Sequence, residues 1–149
     1  MATQWTAGTT SGQVLTAATL NTIGAAWVDY TPTLTQSATV TKTINYARYC
    51  QFQKTIIVQV HLTATGAGTA ANEVLLGLPI TSTTATARTI GTGFVFDAST
   101  TTLYNCSAIL QSTTTAKFYY QAGFGWGFSP NIALANNDQI TFTLIYEAA

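Results

Sequence analysis

Gln51 to Thr65 reads QFQKTIIVQVHLTAT, with Val58, Val60 and Leu62 alternating with Gln59, His61 and Thr63. A hydrophobic period of two places one face of a strand in a core and leaves the other facing out. From Thr31 onward this period governs the chain. ATVTKTINYARY sets Val40, Lys42, Ile44, Tyr46 and Arg48 against Thr39, Thr41, Thr43, Asn45 and Ala47. Gln53-Lys54, between two such runs, is the expected turn of a hairpin. EVLLGLPI is a short strand ended by Pro79, and TIGTGFVFD, LYNCSAILQ, AKFYYQ and QITFTLIYE are four further strand candidates. GAGTAAN, Gly66 to Asn72, and the Thr-rich TSTTATA read as loops. Turn signals spaced about 8–12 residues apart predict an all-β fold, an antiparallel β-sandwich of jelly-roll-like form. No heptad, collagen triplet or internal repeat interrupts it.

Helical periodicity is confined to the front, in SGQVLTAATLNTIGAAW, Ser11 to Trp27. Thr16 is a suitable N-cap, its hydroxyl accepting from a free amide. Leu20, Ile23 and Trp27 follow at i, i+3 and i+7, one stripe of a 3.6-residue period. Gly24 weakens that helix by roughly 1 kcal/mol relative to Ala. Tyr30-Thr31-Pro32 ends it, because the residue before proline is pushed towards extended geometry. A helix of about 12 residues is marginal in water by itself. It therefore needs a surface to dock on: its own body, sister subunits or another protein. The expected division is an N-terminal anchor segment with a short helix over residues 1–30 and a β-sandwich domain over 31–149.

The chemistry of the surface is unusual. Only 7% of residues are charged, five basic and five acidic with zero formal net charge, against about 25% in ordinary globular chains. Roughly one residue in five is threonine, a β-branched residue suited to a half-buried pleated surface. So few charges leave little protection against self-association, and the chain is expected to live assembled with copies of itself or with a larger body. The lack of clustered Lys and Arg argues against nucleic acid as a partner. No stretch reads as a transmembrane helix, since the apolar runs are far shorter than about 20 residues, and no membrane insertion is expected. A secretory signal is not expected, since the start of the chain has no basic n-region or apolar h-region.

Catalytic inventory is thin. The single histidine, His61, has no second His and no His-Cys-Cys set for a metal; it reads as a surface or subunit-interface residue. Asp29, Glu73, Asp97, Asp138 and Glu147 fall near strand ends or loops and read as solvated turn acids, not as the facing pair a glycosidase uses. Cys50 and Cys106 both lie in strands. Free thiols are expected, with a disulfide across the sandwich as the alternative. The expectation is no enzyme, no metal and no cofactor.

One stretch offers a binding surface: AGFGWGFSPN, Ala122 to Asn131, in which Phe124, Trp126 and Phe128 alternate with Gly125 and Gly127. Tyr119 and Tyr120 precede it. These rings either stack on sugar or plug the end of the core or a subunit interface, where large aromatics supply most of the burial energy. The candidate receptor or interface loop is therefore Tyr120, Phe124, Trp126 and Phe128.

Read together, these segments resemble a family of short bacteriophage virion proteins of the minor-tail or tail-fibre type, over nearly the whole chain. LTAATLN, Leu15 to Asn21, is similar to the family's front L-T-A-x-x-L-N element. AWVDYTPTLT resembles the linker into its β domain. YARYCQFQKTIIVQV resembles its G-R-Y-x-R-x-G-K-x-V-x-V hairpin, with Ala47 and Gln53 standing where the family has glycine. LLGLPI resembles its S-L-P-V strand end, GFVFDAST a central strand with its turn, and NNDQITFTLIYEAA its C-terminal strand ending in Y-E-A-A. The resemblance implies a virion protein assembled in the host cytoplasm, and a homotrimer. It implies an anchor to other virion proteins through Leu15, Thr16, Leu20, Asn21, Ile23 and Trp27, with the β domain exposed. Two functions follow as expectations. One is a tail-fibre or tail-tip component contacting the host surface, with a host glycan as possible ligand. The other is a decoration protein bound to the capsid lattice. A small cell-wall hydrolase is disfavoured by the missing catalytic set.

Overall fold

The computed structural model describes residues 26–149, apart from 85, 87, 122 and 123. The expected N-terminal helix, with Leu15, Thr16, Leu20, Asn21 and Ile23, lies outside the described residues. The described chain contains ten strands: β1 (Val28–Asp29), β2 (Leu34–Gln36), β3 (Ala38–Thr39), β4 (Lys42–Phe52), β5 (Thr55–Ala64), β6 (Leu75–Gly77), β7 (Thr89–Asp97), β8 (Thr102–Leu110), β9 (Thr115–Tyr119) and β10 (Gln139–Glu147). All pairings are antiparallel. The class is all-β, as the period of two requires.

The ten strands form one hydrogen-bonded series, β1-β4-β5-β10-β7-β8-β9-β6-β2-β3. The C-terminal strand β10 is threaded into the middle, between β5 and β7. Chain connectivity forces this sheet to curl. In a flat sheet, β3 and β4 would lie eight strand spacings apart, about 38 Å. Yet only Val40 and Thr41 join them, a reach of about 11 Å at full extension. The sheet is therefore bent into a half-barrel around one core. Phe142 on β10 and Phe118 on β9 stack at 4.0 Å between ring centroids although β7 and β8 lie between their strands. Small residues make room beneath those rings: Gly93 opposes Phe142 in β7, and Cys106 and Ala108 follow in β8. At Gly91 and Gly93 a Cβ would strike the β10 backbone, so β7 can hug β10 where the sheet bends only because both are glycine.

Inward positions of β5 (Ile56, Val58, Val60, Leu62, Ala64) and β10 (Ile140, Phe142, Leu144, Tyr146) are buried. The hairpin turns at Gln53-Lys54 as expected, with Phe52 paired to Thr55 and Gln53 at φ 53°. The strand before it departs from the simple alternation. The β4–β5 register shifts between Ile44 and Tyr46, a bulge that sends the residues after it to the opposite face. Ala47 consequently joins the core while Tyr46 and Arg48 face out. The segment read as linker also contributes strands: β1 pairs with β4, and β2 with β6.

Candidate functional site

The aromatic loop after β9 splits into an inner and an outer part. Trp126 is fully buried. Its amide donates to the Phe118 carbonyl at 2.6 Å and its carbonyl accepts from the Val74 amide at 3.1 Å, which turns the indole into the half-barrel. There it meets Tyr104 edge-on at 5.9 Å, and Tyr104 in turn meets Tyr120 at 5.0 Å and 88°. The indole N–H makes no hydrogen bond among the described residues, so the ring is held by packing. Gly127 has φ +96°, and a Cβ there would strike Asn72 and Gln36. Phe124 and Phe128 lie outside, each about half exposed, stacked at 6.0 Å and 29°. The loop thus plugs the core with Trp126, leans Tyr120 on Tyr104, and presents Phe124 and Phe128 outward.

Gln36 fastens this end. It is fully buried, its Nε2 donating to the Asn72 and Ile132 carbonyls and its Oε1 accepting from the Leu134 amide at 2.8 Å. Beside the loop, Lys117 Nζ bonds both Glu73 oxygens at 3.0 and 3.1 Å and lies 4.9 Å over the Tyr119 ring. Burial alone would lower the Lys117 pKa, but Glu73 and Tyr119 outweigh it and hold the ammonium above its usual value.

The acids depart from the solvated reading. Asp97 and Asp138 are turn acids, yet both are buried, because main-chain groups replace water around them. Asp97 Oδ1 accepts from the Ser99 amide and hydroxyl and from the Thr100 amide. Burial raises its pKa, but these bonds prevail and hold the carboxyl below the usual range. Asp138 accepts from the Ala98 and Ala135 amides. Its pKa is raised, by burial first and by the Asp97 charge, against the opposing hydrogen bonds. Cys50 and Cys106 are free and buried, and burial pushes the Cys106 thiol up to about 12. Among the described residues no three His, Cys, Asp or Glu gather as a metal set, and no helix is long and apolar enough to cross a membrane.

A second constellation lies on the outer face of β4 and β5. Arg48 Nε and Nη2 both donate to Gln59 Oε1, at 3.2 and 2.9 Å. The guanidinium carbon sits 4.8 Å over the Trp27 ring and 5.9 Å from that of Tyr46. Tyr46 meets His61 edge-on at 5.6 Å, and His61 Nε2 lies 3.4 Å from Gln139 Oε1. Asn45 donates to Thr63 at 2.8 Å. His61 is half-buried on this outer face. Trp27, one of the expected anchor residues, is 43% exposed at the edge of this cluster, as is Tyr46. Sequence reasoning missed the grouping because the bulge, invisible in the alternation, sets Tyr46 and Arg48 beside His61 and Gln59.

The class these features define is an antiparallel all-β protein with a half-barrel sheet, one aromatic-plugged end and an aromatic–arginine cluster on its outer face. No family model, curated protein or solved structure is similar enough to match the chain.

Proposed function

We propose that the chain is a bacteriophage virion structural protein, a trimeric tail-fibre or tail-tip component contacting the host surface. The observation that carries this reading is the surface of the β body. Nine large hydrophobic side chains are exposed among the described residues, Phe124, Phe128, Leu103 and Ile145 among them, on a chain with 7% charged residues. Such a surface favours lasting association over life as a free monomer. The ordered resemblance to short virion proteins supplies the setting. In this reading the facing halves of the curled sheet serve as the layers of a jelly-roll-like sandwich. The preceding segment forms a short helix whose Leu15, Thr16, Leu20, Asn21 and Ile23, with Trp27, attach to other virion proteins. The role involves no catalysis, cofactor, nucleic acid or membrane insertion.

The alternative, a decoration protein on the capsid lattice, is favoured by one observation: β1 enters the sheet at Val28, directly after Trp27, the last of the expected anchor residues. Immunogold labelling of virions with quantitative mass spectrometry tests both. A few trimers at the tail support the main reading, hundreds of copies over the head support decoration, and absence from purified particles overturns the virion assignment. Light scattering on the purified chain is expected to give a trimer.

A further inference from the structure

We infer that the outer face of β4 and β5 is a binding site for an acidic saccharide, a sugar ring carrying a carboxylate or a phosphate, centred on Arg48. The inference deepens the host-contact reading and rests on it for its biological role. It places the ligand on a different surface from the aromatic loop.

The chemistry starts from charge. Arg48 is one of five basic residues, and all five acids of the chain lie among the described residues. The ion pair among these residues is Lys117 with Glu73; Arg48 has no carboxylate within ion-pair distance. Asp29 stands opposite it in the β1–β4 register without closing a pair. A guanidinium offers five N–H donors. Two of them meet Gln59 Oε1, and Arg48 has no further acceptor among the described residues. Gln59 on one side and the Trp27 and Tyr46 rings on the others hold the planar group in place. A fixed guanidinium with free N–H groups suits bidentate capture of a carboxylate or phosphate.

The surroundings select a sugar over a bare anion. Trp27 and Tyr46, each 43% exposed, offer rings for the apolar C–H face of a pyranose. Asn45, Gln59, His61 and Gln139 supply donors and acceptors at hydroxyl scale on the same side of the sheet. Apart from Trp27, which directly precedes β1, these groups sit on paired strands rather than on a loop, so the polar part of the site is preformed.

Calorimetric titration of the purified full chain tests this, with oligogalacturonate as the carboxylate probe, a phosphomannan as the phosphate probe and dextran as the uncharged control. At least one acidic probe is expected to bind, more weakly as salt rises, while dextran does not. The arm that binds identifies the anion. Arg48→Gln is expected to weaken binding tenfold or more and Trp27→Ala several-fold, at unchanged melting temperature because both side chains are exposed. Asp29→Asn is expected to tighten binding, a gain that misfolding cannot mimic. Phe124→Ala leaves it unchanged. The inference is overturned by no binding of either acidic probe at millimolar concentration, or by binding indifferent to Arg48→Gln. It is also overturned if Arg48→Gln or Trp27→Ala dissociates the oligomer, which would make this face a subunit contact. The titration needs no particles, so its failure leaves the virion-labelling result standing.

Discussion

Trp126 and Trp27 occur in similar local sequence, GFGWGFS and GAAWVDY, each beside small residues and near another aromatic. Trp126 is sealed in the half-barrel, whereas Trp27 lies 43% exposed on the outer face with Arg48 over its ring. Hydrogen bonding of the backbone makes the difference. Trp126 is fastened to Phe118 and Val74, which turns its side chain inward. Trp27 precedes β1 at the sheet edge, where Asp29 stands opposite the outward-facing Arg48 in the strand register. The same ring therefore serves as core filler at one place and as surface chemistry at the other.

The most direct way to break this comparison is to truncate both rings. Trp126→Ala is expected to cost about 3–5 kcal/mol of stability, as for large aromatics removed from cores. Trp27→Ala is expected to stay within about 0.5 kcal/mol. Denaturant melts of the two variants decide, and equal losses would refute the division into inside and outside.

Gln36→Leu sharpens the inner side of the contrast. Leucine fills similar space but leaves the Leu134 amide and the Asn72 and Ile132 carbonyls without their partner. With buried groups stranded in this way, the expected loss is on the order of 3 kcal/mol. A neutral outcome would show that the plugged end is held by packing alone.

Asp97→Ala probes how the β7–β8 turn is pinned, with an expected loss of about 2 kcal/mol at neutral pH from bonds to a charged acceptor. The folded pKa lies below the unfolded one. The stabilisation is therefore present above the unfolded value near 3.9 and is lost as pH falls through the folded value. Stability measured against pH should show the gap between variant and parent closing below about pH 4. A constant gap would mean that the carboxylate charge plays no part.

The smallest expected effect is a gain. Gln53 holds φ 53° in the hairpin turn, a conformation that costs a residue with a Cβ more than it costs glycine. Gln53→Gly should raise stability by up to about 1 kcal/mol, read as a small rise in melting temperature. A decrease would mean that the Gln51 side chain, whose Nε2 donates to the Gln53 carbonyl at 2.7 Å, depends on the native turn geometry.

Much of the strand content was legible. TIGTGFVFD and QITFTLIYE coincide with β7 and β10, and the hairpin turns where Gln53-Lys54 interrupts two alternating runs. Less legible was anything that depends on a partner strand. The bulge at Ile44–Tyr46 leaves the amino-acid alternation intact while reversing the faces it predicts. β2 is three residues long, too short for a periodic signal, yet it carries Gln36 into the core. Asp97 and Asp138 look like any turn acids, and only the converging amides show why burial is tolerable. In the aromatic loop, the composition announced rings at one end of the fold but not which would be covered.

What the sequence alone determined is therefore local: a period of two, β-branched and aromatic strands, and turns placed by polar and small residues, all properties of a pleated chain read a few residues at a time. It also determined the scarcity of charge, and with it the kind of surface available. The tertiary structure alone decided that β10 lies between β5 and β7, that the sheet curls until Phe118 and Phe142 stack, and that Arg48, Trp27, Tyr46 and His61 share one face. Each of these is fixed by pairing between residues far apart in the chain, and periodicity along one strand carries no information about its neighbour.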